Sequence, residues 1–316
     1  MPSLRTAAIS LLAATAAALP SVPRFTTRQL QYHDVAKRQN AAAQALGLND
    51  FDILQFALTL ENLENAFYQQ GFAKFPASDF TALGLSDAQI KDLTQIGFTE
   101  SEHVIVLQSA LAQNGIQPVA PCTYNFGFTD AAGMVATAAI LENVGISAYL
   151  GAAPLLASPA ILGVAGSILT IEARHQSSIR VFSKQEAVPQ GFDAPLGPKA
   201  VFSLAAPFIA SCPSGSNLKL TAFPTLSLAS ATAPTTVNSV LKLQSSASAG
   251  GKFCAFTSGG VNPGGTMFTP FTEADGCKVP EGVAGITYLS LSSSAPLTGA
   301  LTDDITVAGP IAITVS

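Results

Sequence analysis

The sequence predicts an α+β chain of two domains: a four-helix bundle with one long crossover, then a β-rich, sandwich-like domain. Three observations predict it. Before Cys212 the chain reads as long apolar helices, each opened by a capping residue. After Cys212, Thr, Ser, Val, Gly and Pro dominate, and short apolar–polar alternations appear. Between the helices, two links are short and one is long. The 316 residues suffice for two domains, and with only 11% charged residues a large core is expected. The net charge of −5 argues against a nucleic-acid partner, which would need a basic face.

The chain opens with Arg5 ahead of an apolar stretch (7–18) and small residues, the pattern of a secretory signal peptide over residues 1–20. Residues 21–48 read as a polar tail or pro-segment, with Lys37-Arg38 as a dibasic processing site and His33 outside any site. The first helix starts at Asn49 or Asp50 and ends before Gly71. The second starts at Ser86, with Gln89 at the capping-box position, and ends before Gly115. The third starts at Thr129 or Asp130. The fourth has Ser158 as cap and Pro159 at the first helical position, and runs to about Gln185. The link "GIQPVAPCTYNFGF" (115–128), fully extended, spans on the order of 45 Å. A helix of roughly 29 residues is about 43 Å long, so this link can return along the bundle and set the second and third helices parallel. Beyond the signal no tract predicts a membrane span, because Glu142, prolines and glycines interrupt the apolar run 131–171.

Four cysteines in a secreted chain suggest two disulfides, with three connectivities open. Cys122 and Cys212 flank the helical region, and Cys254 and Cys277 lie together in the C-terminal part. Cys122–Cys212 and Cys254–Cys277 are therefore the expected pairs. This places the bundle at 49–212 and the β-rich domain at 213–316. The stretches "NLKLTAF", "TTVNSVLKLQ", "ITYLSLSS" and "IAITVS" are its candidate strands.

The chemistry sits in a repeat. "LENLENAFY" (60–68) on the first helix matches "LENVGISAY" (141–149) on the third, aligning Glu61 with Glu142 and Tyr68 with Tyr149. The second and fourth helices each carry Glu-x-x-His: "ESEH" gives Glu100 and His103, and "IEARH" gives Glu172 and His175. Residues three apart share a helix face. Each of the four glutamates lies about 17 to 20 Å along its helix, so one layer can hold them all. Four carboxylates would repel there, and two divalent cations would offset that charge. Carboxylate oxygens and imidazoles suit two iron or two manganese ions. Glu64 competes with Glu61 for the ligand position, but the repeat sets Gly145 opposite Glu64 and so favours Glu61. Glu102 lies off the Glu100–His103 face. Tyr68 and Tyr149, two turns beyond their glutamates, are candidates to hydrogen-bond ligand carboxylates. Arg174 either balances charge beside the site or faces solvent. Gly145 and Gly151 either leave room for a small ligand or permit close helix packing.

These residues carry a resemblance. "FDILQFALTLENLENAFY", "ESEH", "AILENVGISAY" and "IEARH" resemble the secreted ferritin-like domain of fungal stress-response and sexual-development proteins and plant desiccation-related proteins, within the di-metal carboxylate superfamily. The resemblance implies a ferritin-like bundle over about 49–212. It also implies Glu61 and Glu142 as carboxylate ligands, Glu100 and Glu172 as bridges, and His103 and His175 as terminal nitrogen ligands. Oxygen or peroxide are the implied small-molecule partners, in iron oxidation, a catalase-like reaction or an oxygenase reaction. The alternative is a non-enzymatic stress-related or cell-surface protein whose bundle metal is structural or absent. In it the β-rich domain binds a cell-wall polymer or another protein. A storage cage is not expected, since the appended domain would obstruct a shell. The expected location is extracellular or in the cell wall.

Overall fold

A computed structural model describes residues 47–214, 220–259 and 265–315. The expected signal peptide, His33 and Lys37-Arg38 lie outside the described residues. Four long helices form the first part: α1 (Asp50–Lys74), α3 (Asp87–Gln113), α4 (Ala131–Ala152) and α5 (Pro159–Phe182), with a short α2 (Ala77–Ala82) in the first link and α6 (Pro198–Ala205) after the bundle. Their starts follow cap chemistry. Asn49 and Asp52 form one capping box and Ser86 and Gln89 another. Asp130 accepts from Gly133 N at 2.7 Å, and Ser158 caps α5 ahead of Pro159.

α1 does not stop before Gly71. That glycine is buried inside the helix because a Cβ there would lie 2.3 Å from Met134 Cε; it permits close packing against α4. The helix ends instead at Phe75, whose extended backbone (φ −113, ψ 115) is what the following Pro76 demands.

Side-chain pairs fix the helix directions. Glu61 meets His103 while Tyr68 meets Gly97, so α1 and α3 are antiparallel. Glu142 meets His175 while Gly145 meets Glu172, so α4 and α5 are antiparallel. Tyr149 reaches Glu61 and Tyr68 reaches Glu142, which sets α1 against α4. The middle helices α3 and α4 therefore run parallel, and residues 115–130 make the long crossover. Midway along it, β1 (Thr123–Tyr124) pairs with β2 (Ile209–Ser211), and the Cys122–Cys212 disulfide closes this small sheet (S–S 1.99 Å). α4 and the turn after it (Ala131–Leu155) have the length and apolarity of a membrane span, but most of this segment is buried inside the molecule.

The strand-rich part is a six-stranded antiparallel sheet in the order β10 (Thr306–Val315), β9 (Gly285–Ser292), β6 (Phe253–Thr257), β7 (Thr266–Thr272), β8 (Gly276–Lys278), β4 (Val240–Leu241). A two-stranded ladder of β3 (Ser227–Leu228) and β5 (Leu243–Gln244) packs Leu228 and Leu243 against the sheet's core. The Cys254–Cys277 disulfide lies inside that core. β9 is buried along its whole length. Its two faces serve two cores, as the period-2 alternation allows. Leu289 and Leu291 point into the sheet's core, whereas Ile286 and Tyr288 join the core of the helical bundle. The α+β organisation thus holds, with one strand shared between the two parts.

The Cys122–Cys212 link closes a span of 90 residues. Replacing both cysteines by serine should lower unfolding free energy by about 2–5 kcal/mol, mostly through the unfolded chain. Denaturant titration of the oxidised protein and the double variant checks this; equal midpoints would contradict it.

Candidate metal centre

Near the middle of the four long helices, five carboxyl groups and two imidazoles are buried together: Glu61, Glu64, Glu100, Glu142, Glu172, His103 and His175. Among the described residues, no lysine or arginine forms an ion pair with them. Arg174 and Glu102 both face solvent. Buried charge of one sign without partners costs several kcal/mol per group.

The arrangement has approximate twofold symmetry. Glu61 receives a hydrogen bond from Tyr149 on Oε1 (2.6 Å) and turns Oε2 toward His103 Nδ1 (3.2 Å). Glu142 receives the Tyr68 hydroxyl on Oε1 and turns Oε2 toward His175 Nδ1 (3.0 Å). Each tyrosine thus occupies one oxygen of a carboxylate on the facing helix and leaves the other for the centre. Glu100 and Glu172 lie between the two halves. Glu100 Oε2 is 3.0 Å from His103 Nδ1 and its Oε1 is 2.9 Å from His175 Nδ1, while Glu172 Oε1 is 3.2 Å from His103 Nδ1. The imidazole rings stack with centroids 6.1 Å apart.

His103 Nδ1 faces three carboxylate oxygens within 3.2 Å. One N–H serves one of them. Glu100 Oε1 and both oxygens of Glu172 are buried with no hydrogen-bond partner, since Glu100 Oε1 is close to His175 Nδ1 but not aligned for a bond. Native structures rarely leave such oxygens orphaned. The ligand atoms form two groups, Glu61–Glu100–His103–Glu172 and Glu100–Glu142–Glu172–His175, each within 4.8 Å. Glu100 and Glu172 belong to both. These orphaned oxygens converge as ligands around a cation do, and the donor set suits a hard or borderline metal ion. The buried cluster is compatible with a metal site.

Sequence reasoning missed Thr99. Its hydroxyl donates to Ile96 O (2.7 Å) and so accepts the Nε2–H of His175 at 2.9 Å. That fixes the proton on Nε2 and directs Nδ1 to the centre. A hydroxyl residue just before Glu100 was the available signal, but its partner is 76 residues away. Gly145 is also explained. A Cβ there would lie 2.6 Å from Glu172 Oε2 and 3.3 Å from Glu64 Oε1. Gly151 serves packing alone, because a Cβ would lie 2.0 Å from Leu196 O. Glu64 is buried but belongs to neither group of converging ligand atoms.

Without a cation, protons hold the cluster together. Burial, then the Glu142 charge, pushes Glu100 up to about 7, against the pull of the two neighbouring histidines. Burial, then Glu100 and Glu142, lifts Glu172 well above the usual range. Burial works against a charged His175, but the adjacent Glu100 and Glu142 carboxylates outweigh it and raise the imidazole to about 9. Both Glu100 and His175 are raised above their ordinary values of 4.5 and 6.5. The stability they lend is full below those values and is lost as pH climbs through about 7 and about 9. A divalent cation bound there would have to displace these protons, so its binding would strengthen over the same span. The gap in melting temperature between manganese-loaded and metal-free protein should widen from acid to mildly alkaline pH, as calorimetry would read. A gap that narrows would contradict this.

Residues 49–185 match the family model described as ferritin-like domain. Over 185 residues the chain is 31% identical to Protein rds1 of Schizosaccharomyces pombe, covering 57% of this chain and 44% of that protein, so the match spans less than half of the relative's length. A conserved hypothetical protein, rv2844, from Mycobacterium tuberculosis aligns with 49% of this chain and 99% of its own at 18% identity, with a TM-score of 0.35.

Proposed function

We propose that this chain, whose residues 49–185 match the ferritin-like domain model, is a secreted protein with a dinuclear iron or manganese centre that acts on oxygen or peroxide. Glu61 and His103 hold one ion and Glu142 and His175 the other, with Glu100 and Glu172 shared between them. The observation that carries this reading is the set of orphaned oxygens on Glu100 and Glu172, which lie in both groups of ligand atoms. When bound, the ions supply one-electron redox changes that no side chain here offers. The chain's own contribution is positional. Tyr68 and Tyr149 orient the outer carboxylates, Thr99 orients His175, and the apolar layers above and below exclude water. The two disulfides support an oxidising, extracellular location. A role in stress or development follows from the family resemblance.

Elemental analysis of protein secreted without added metal tests the reading. The expected content is about two iron or manganese ions per chain, as in other carboxylate bundles of this type. His103→Ala with His175→Ala should abolish loading, and Glu100→Ala should cost both ions because it removes a shared ligand. Full occupancy in the histidine double variant would refute the assignment.

A further inference from the structure

The molecule carries a cavity of about 570 Å³ between the helical bundle and the strand-rich part. Its size is that of a small-molecule site. Leu60 and Leu63 of α1, Val144 of α4, Leu204 of α6, Ile311 of β10 and Phe223, which precedes β3, make its walls. Pro207, Pro224 and Thr225, all exposed, stand at its mouth. The lining is almost wholly apolar, and Glu64 is its one charged group. Glu64 is only 4% exposed, and among the described residues its carboxyl makes no hydrogen bond or ion pair. Its carboxyl borders the cavity, which is where a hydrogen-bond partner can reach it.

Gly145 lines the same inner end. The absent side chain leaves the Glu64 and Glu172 carboxyls facing one spot, 3.3 and 2.6 Å from where a Cβ would stand. The twofold repeat breaks at this pair, with a glutamate on α1 opposite a glycine on α4, and the cavity opens where it breaks.

We propose that this cavity binds an uncharged, largely hydrocarbon molecule with a hydroxyl at one end, the hydroxyl on Glu64 and the chain running toward Pro224. The walls supply apolar contact, and Glu64 supplies one hydrogen-bond acceptor at the floor. No lysine or arginine lines the cavity to receive an anion, which would be buried there without a partner. An ammonium would have to be buried as an ion pair, at a cost of several kcal/mol per ion. Binding itself needs no metal. That the hydroxyl end then lies beside the dinuclear centre rests on the reading of Glu172 as a ligand.

The test uses the full chain, metal-loaded and chelator-treated. Nile red, a neutral apolar dye, reports the cavity, and n-decanol, decanoate and decylamine compete for it. The dye should bind both forms, and n-decanol should displace it at about tenfold lower concentration than either charged analogue. Ala206→Trp fills the cavity from the segment after α6 and Ile140→Trp from α4. Each should weaken dye binding at least about tenfold while leaving metal content unchanged. Glu64→Leu should keep the dye and weaken competition by n-decanol several-fold, because the hydroxyl loses its hydrogen-bond partner. Undiminished dye binding in both tryptophan variants, or tighter competition by decanoate or decylamine, would overturn the proposal. Dye binding by a protein that takes up no iron or manganese would sink the dinuclear reading alone, and metal uptake without dye binding would sink this one alone.

Discussion

The constraint on which this structure depends is the burial of five carboxyl groups and two imidazoles together in the middle of a largely apolar bundle. Like charges in a low-dielectric interior repel, and each is poorly solvated. Every local choice around the layer answers that problem. Tyrosines saturate one oxygen of each outer carboxylate. A threonine fixes one imidazole proton. A missing Cβ at residue 145 gives Glu172 the room it occupies. What these groups do not satisfy are the inner oxygens of Glu100 and Glu172, and those define where positive charge belongs.

The strand-rich part is not a passive appendage. Tyr288 on β9 is buried against α4, where its hydroxyl donates to Asn143 O (2.9 Å), accepts from Asn143 Nδ2 (2.7 Å) and lies 3.0 Å from Ser147 Oγ. Asn143 is the residue after Glu142. A strand from the second part therefore braces the helix that presents one of the buried carboxylates. The same interface encloses the apolar cavity, so the second part shapes the approach to the layer as well as its support.

Much of the helical part was legible because its signals are local and periodic. Caps at Asn49, Ser86 and Ser158, the spacing of Glu100–His103 and Glu172–His175, and the repeat pairing Glu61 with Glu142 all lie within a few turns of chain. Gly71 misled because a glycine in a helix reads as a stop when its packing partner, Met134, is not visible. Thr99 and Tyr288 were illegible for a related reason: their partners lie 76 and 145 residues away. The short strands β3, β4 and β5 have two residues each, too few for alternation to define. Their pairing is set by the sheet they join. The choice between Glu61 and Glu64 turned on a repeat, and the fold gives the two residues different surroundings: Glu61 faces the histidines and Glu64 faces the cavity.

The central claim is that two cations share Glu100 and Glu172. Crystals of the secreted protein, measured at the iron and manganese absorption edges, test it most directly. Two anomalous peaks are expected inside the bundle, one beside His103 and one beside His175, with both shared carboxylates between them. A well-ordered bundle with no peak in that layer, or a single peak held only by surface residues, would contradict it.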